Sequence, residues 1–223
     1  MKKIFFETVP INIVKNADYR LLESPYVVFD IETTGLNPNK DKIIQFGAIK
    51  FVNNKPIDEI EFFIDPECEI PKEITAINHI ENKDVKGQIK IKEGLSKIIQ
   101  FFQDFYLVAH NGINFDINFI NSKLKQNKMP LIKNPILDTM WLSKAINPSF
   151  KSHSLKNIVE TYQINYDQTK THQALYDTKL LIEVWNKLKD RLKSDFKILN
   201  LKSINKKFVK FTISKFGLKK IHF

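Results

Sequence analysis

Apolar and polar positions along the chain switch between a period of two and a period of about 3.6, and the switches mark its elements. Residues 27–31, Val-Val-Phe-Asp-Ile, form a β-branched and mostly apolar run expected as a buried strand. Similar runs over 43–52 and 57–64 flank the turn-like Asn53-Asn54-Lys55-Pro56. This meander predicts three antiparallel neighbours, with the first strand at one side of the hairpin. Residues 65–91 lack a strong period, although 72–79 suit a short helix. Leu95, Ile98, Ile99 and Phe102 then repeat at helical spacing, predicting an amphipathic helix over 93–105.

Tyr106 to His110 reads as a short buried strand. The helix expected over 115–127 has Asn114 or Asn111 as its cap and stops before Met129-Pro130. A brief strand over 135–138 leads into a helix through Ala145. Ser152 or Ser154 caps a further helix with Leu155, Ile158 and Val159 inward, and residues 173–193 form the last and longest one. Three strands followed by alternating helices and short strands predict an α/β domain with a mixed sheet.

Composition and charge refine this picture at its edges. A chain of 223 residues, 43% hydrophobic and 27% charged, suits a soluble domain with a substantial core. No apolar run approaches the roughly 18 residues of a membrane span. Met1 to Phe6 opens like a signal peptide, but Glu7, Pro10, Asn12 and Lys15 interrupt it. One cysteine, Cys68, forms no internal disulfide or metal site and fits a reducing cytoplasm.

The net charge of +10 suits a polyanionic partner, yet residues 194–223 alone hold eight lysines against one aspartate. The expected divisions are thus a flank over 1–24, a main domain over 25–193 and a basic extension over 194–223. Phe208, Phe211, Ile213, Phe216, Leu218, Ile221 and Phe223 make that extension too apolar for a disordered tail. Its strand-like stretch 208–214 is expected to pair with the strand-like stretch 9–14, outside the catalytic face.

Acidic groups stand at the ends of the predicted elements. Asp30 and Glu32 lie two apart on the first strand and so point to one face, where like charges repel unless a cation lies between them. Asp116 opens a helix just after a short strand. Asp177 follows His172 by five positions, so the two meet only if His172 lies in an irregular first turn, with its imidazole facing solvent. Each has an ordinary explanation alone: a strand end, a helix cap, a solvated side chain. Together, four carboxylates with no cysteine beside them suit hard divalent cations, Mg2+ or Mn2+, rather than structural zinc.

The segments Asp30-Ile31-Glu32-Thr33-Thr34-Gly35, His110-Asn111 through Phe115-Asp116, and His172-Gln173-Ala174 through Asp177 resemble the three motifs of the DEDDh 3′–5′ exonucleases, in order and separation. The resemblance covers about residues 25–192. It implies a ribonuclease H-like fold, a mixed five-stranded sheet flanked by helices. It also implies that Asp30, Glu32, Asp116 and Asp177 bind two metal ions and that His172 is the general base. Thr33, Thr34, Gly35, Leu36, His110, Asn111 and Phe115 would contact the terminal nucleotide, and Ile77 and Ile80 are candidates for an apolar wedge against the terminal bases.

Gln45 stands where many members carry glutamate, a difference expected to alter contacts to that nucleotide. Within the family, the segment from Val14 to Leu36 is similar to the entry segment of the exonuclease domain of C-family bacterial replicative polymerases, and the tail segment 211–219 resembles the segment just after that domain.

The function expected is metal-dependent removal of mononucleotides from single-stranded or frayed DNA 3′ ends, for proofreading beside a DNA polymerase chain or domain. The alternatives are an RNA-trimming exoribonuclease with the same five residues, or an inactive nucleic-acid-binding polymerase module. The intact set of four acids and a histidine argues against the latter.

Overall fold

In the computed structural model, which describes residues 25–147, 149–198, 210–214 and 217–221, Tyr26–Thr33 (β1) runs through the middle of the main sheet. Ile43–Val52 (β2) pairs antiparallel along one edge of β1, and Lys55–Asp65 (β3) pairs antiparallel with β2. The opposite edge of β1 takes Tyr106–Ala109 (β5) in parallel, followed by Ile136–Asp138 (β6), also parallel. The first strand therefore lies at one side of the β2–β3 hairpin, as expected, and is interior to the sheet as a whole. A two-residue strand, Ile89–Lys90 (β4), adds to β3 and extends the expected five strands to six, in the order β4-β3-β2-β1-β5-β6. Two residues carry no readable period, which is why β4 is silent in the sequence.

Alternation along β1 sorts its side chains between two cores. Val27, Phe29 and Ile31 enter one with Leu95, Ile98 and Phe102 of Ile91–Phe102 (α3) and Ile117, Phe119, Ile120 and Leu124 of Asp116–Gln126 (α4). Tyr26 and Val28 enter the other, built from Thr139–Ile146 (α5), Leu155–Thr161 (α6) and Ala174–Ile198 (α7). Trp185 and Leu188 of α7 are wholly buried there. By the same alternation Asp30 and Glu32 face the α7 side, where no apolar residue takes their place. A register shift between Glu32 and Thr33 ends the regular pairing next to these acids.

Two short helices, Lys72–Asn78 (α1) and Asn82–Val85 (α2), cover a small cluster of Ile44, Ile70, Ile80 and Val85. Ser154 is the cap of α6, accepting from the Asn157 N–H at 3.3 Å. The start of α4 differs from expectation: Phe115 is its N-cap residue and no side chain caps it. Asn114 instead donates to the Asn111 side chain at 3.1 Å, and Asn111 takes a left-handed backbone, φ 60°.

In the extension, Lys210–Ser214 (β7) and Gly217–Ile221 (β8) form an antiparallel hairpin. The stretch 9–14, its expected partner, lies outside the described residues. Among the described residues no helix is long and apolar enough to cross a membrane.

Candidate active site

Three elements converge on the open end of β1. Asp30 and Glu32 are half-buried there, and Glu32 also accepts from the side chain of Asn78, the last residue of α1. Burial pushes the Asp30 carboxyl well above the usual carboxylate range, and the charges of Asp116, Glu32 and Asp177 push it further. Burial likewise raises Glu32 to about 8, with Asp177 adding to it and the Asn78 hydrogen bond opposing.

Asp116, the first residue of α4, is buried, and its Oδ1 has no hydrogen-bond partner. Backbone N–H groups of Asp116 itself and Ile31 donate to its carboxyl, but burial outweighs them and lifts it to about 7.

The chain enters α7 through an irregular turn. His172 sits two residues before the helix with a left-handed backbone, φ 63°, and its side chain is exposed. Its backbone N–H donates to Asp177 Oδ2 at 3.0 Å, which closes the turn. Burial raises the Asp177 carboxyl, while the His172 N–H and imidazole charge oppose. One ligand atom from each of Glu32, His172 and Asp177 lies within 4.8 Å of the others. The exposed His172 and the fixed Asp177 are as the spacing predicts.

These donors fit hard divalent cations. Four carboxylates crowded in a desolvated corner, one with an oxygen that nothing satisfies, are what a site looks like when its balancing charge is a cation rather than a lysine or arginine. Oxygen-rich donors suit a hard divalent cation rather than a structural zinc.

The other expected contacts divide. The Thr33 hydroxyl donates to the Gly35 carbonyl at 2.6 Å, and the Thr34 hydroxyl accepts from the Lys42 N–H at 2.9 Å. Both threonines are buried, so their side chains shape the loop. A Cβ at Gly35 would stand 2.4 Å from Asp41 Oδ2 and would displace that carboxylate from the Asn37 N–H it accepts at 2.7 Å. The buried Lys123 donates to the Pro38 carbonyl at 2.9 Å, and Gln126 donates to the Asn39 carbonyl, lashing the loop to α4. At the front of this loop Leu36 is 82% exposed. Ile77 is also exposed, at 52%, whereas Ile80 is 4% exposed and packs beneath α1 and α2. Of the two isoleucines, only Ile77 is open to a base. Phe115 packs on Phe119, ring centroids 4.9 Å apart.

Sequence reasoning missed Asp138. At the end of β6, its carboxyl accepts backbone N–H groups from Asn111, Ile113, Met140 and Trp141 at 3.0–3.3 Å. It thereby caps α5 and fixes the loop that delivers Asp116. Burial still lifts it to about 6. Thr139 continues the clamp: its hydroxyl donates to the Ala109 carbonyl at 3.2 Å and meets His110 Nδ1 at 2.9 Å. Burial lowers His110 to about 4, so this imidazole is neutral near pH 7. The only sequence signal for Asp138 is an acid between a strand and a helix.

A family model described as exonuclease matches residues 27–185. The chain is 48% identical over 191 residues to the PolC-type DNA polymerase III of Ureaplasma parvum, covering 85% of this chain. It is 41% identical over 184 residues to that of Mycoplasma genitalium, covering 82%. It spans only 13% of the length of each of these relatives. Among solved structures, Escherichia coli exonuclease I in its zinc-bound complex with single-stranded DNA matches with a TM-score of 0.68 at 18% identity, over 80% of this chain and 43% of that one. The complex with a dT13 oligonucleotide matches with a TM-score of 0.69 at 18% identity, over 79% and 43%. The fold is accordingly ribonuclease H-like.

Proposed function

Because the chain belongs to the exonuclease family, we propose that it is a metal-dependent 3′–5′ exonuclease that removes mononucleotides from single-stranded or frayed DNA ends, proofreading for a replicative polymerase of the PolC type. The observation that carries this reading is the convergence of Asp30, Glu32, Asp116 and Asp177 on one desolvated corner, with His172 exposed at its rim.

Two divalent cations held by the four carboxylates would stabilise charge on the phosphoryl and leaving oxygens and orient the attacking water. The chain's own residues do the rest. Leu36 and Ile77 offer exposed apolar surface to the terminal bases, while the clamped loop from Thr33 to Asp41 fixes where Leu36 stands. His172 takes the proton of the attacking water on an imidazole nitrogen. The water oxygen bonds to phosphorus, the bond from phosphorus to the 3′ oxygen breaks, and that oxygen takes a proton from solvent. The products are a 5′-mononucleotide and a strand shorter by one, ending in a 3′-hydroxyl. The hydrogen bond from His172 N–H to Asp177 keeps the base beside a metal-binding carboxylate through the cycle.

The reading is tested by following matched and 3′-mismatched primer–template DNA, single-stranded DNA and short RNA with Mg2+. Faster loss of a mismatched than a matched DNA terminus supports proofreading, while preference for short RNA favours an RNA-trimming enzyme with the same five residues.

A further inference from the structure

We propose that Gln45 is a positioning residue for the catalytic histidine, acting through the first turn of α7; the catalytic part of the proposal rests on the function proposed above. Gln45 lies opposite Glu32 in the β1–β2 pairing, and Gly47 lies opposite Asp30. The two β2 residues beside these acids are thus also the ones that meet the first turns of α7. Gln45 is 3% exposed and does not reach outward to a terminal nucleotide. Its Oε1 accepts from the Ala174 N–H at 3.0 Å, and its Nε2 donates to Glu61 Oε1 at 3.0 Å.

Ala174 is the first residue of α7, so this N–H has no partner within the helix. Glu61 as a carboxylate only accepts and an N–H only donates, so one orientation of the Gln45 amide satisfies both. At Gly47 an added Cβ would stand 2.4 Å from the Leu175 nitrogen, so the helix backbone lies directly on the sheet. Thr178 closes the contact by donating to the Gly47 carbonyl at 3.1 Å.

The turn held in this way carries His172 two residues before Ala174 and Asp177 three residues after it. Glu61 on β3, Gln45 on β2 and Ala174 on α7 thus form one chain of contacts that sets the height of α7 over Asp30 and Glu32. A shift of the first turn would move the base and a metal ligand together. Removing an outer-shell contact of this type typically lowers metal affinity or rate by roughly 10–100-fold.

The test compares the parent with Gln45→Met, Glu61→Gln and the double variant Gln45→Glu/Glu61→Gln. The double variant reverses the polarity of the Gln45–Glu61 contact while leaving an acceptor for Ala174. Three quantities are read: kcat and KM on a 3′-labelled oligonucleotide, Mn2+ affinity, and hydrogen exchange of the Ala174 amide. Gln45→Met is expected to lower kcat or Mn2+ affinity by roughly 10–100-fold with KM little changed, and to speed exchange at Ala174. The double variant is expected to recover all three.

A lower melting temperature with kcat per folded molecule and Mn2+ affinity unchanged would mean a merely structural role and would overturn the proposal. If the parent cleaves no substrate, the exonuclease reading fails by itself. Mn2+ affinity and Ala174 exchange then still decide whether Gln45 holds the turn.

Discussion

The backbone N–H of His172 donates to Oδ2 of Asp177 across a turn in which His172 adopts a left-handed backbone, φ 63°. One carboxylate thus holds the main chain of the proposed base with one oxygen, and the proposed function assigns its other oxygen to a cation. Asp177→Asn keeps an acceptor for the N–H but removes the charge. It is expected to retain the fold, with a melting temperature equal to or above the parent's because carboxylate crowding is relieved, and to lose turnover. A mutant that keeps Mg2+-dependent cleavage would remove Asp177 from the site.

His172→Ala is expected to keep the four carboxylates and their Mn2+ affinity while lowering kcat by about 10²–10⁴-fold. Steady-state rates of parent and mutant at saturating metal, with Mn2+ affinity measured beside them, check it.

The crowded acids predict how stability depends on pH without metal. Unfolded, these carboxyls release their protons near pH 4. Folded, Asp116 holds its proton to about 7 and Glu32 to about 8. Between about pH 4 and pH 8 the folded state therefore binds more protons than the unfolded one, and stability falls as pH rises across that window. Melting temperatures in EDTA should decline over this range, and Mg2+ should restore more at pH 8 than at pH 6. A profile in EDTA that is flat or rises would contradict the proposed crowding.

Asp138→Ala strips the acceptor from four backbone N–H groups and removes the cap of α5. The expected loss is at least about 1–3 kcal/mol of stability, measured by urea unfolding, since buried donors are left unpaired. Turnover per folded molecule should fall as well, because the loop from Asn111 to Asp116 loses its anchor. Unchanged kcat in the folded fraction would make Asp138 a purely structural cap.

Much of this site is written in local patterns. The β-branched runs gave β1 and β2 nearly residue for residue, the i and i+2 acids followed from strand alternation, and the spacing of His172 and Asp177 implied the irregular turn that is observed. What was not legible depends on partners far apart in the chain. Asp138 acts on the loop from Asn111 to Ile113, and Gln45 acts on Ala174, 129 positions away. Neither leaves a period or a motif. Ile80 is a wedge candidate only by the resemblance of its segment to that of relatives, and whether such a residue faces out or in is decided by α2, a single turn without a readable pattern. Asn111 and Asn114 carry the composition of a cap, yet the left-handed backbone at Asn111 directs both side chains elsewhere.

The central claim is that these four acids and His172 hydrolyse DNA from its 3′ end with divalent metal. The most direct measurement is a gel that follows the parent and Asp30→Ala on 3′- and 5′-labelled single-stranded DNA, with Mg2+ and with EDTA. The parent with Mg2+ should release the 3′ label as a mononucleotide and leave a ladder of shortened 5′-labelled strands, while EDTA or Asp30→Ala should leave both substrates whole. Release of the 5′ label first, cleavage in EDTA, or an unchanged ladder with Asp30→Ala would contradict it.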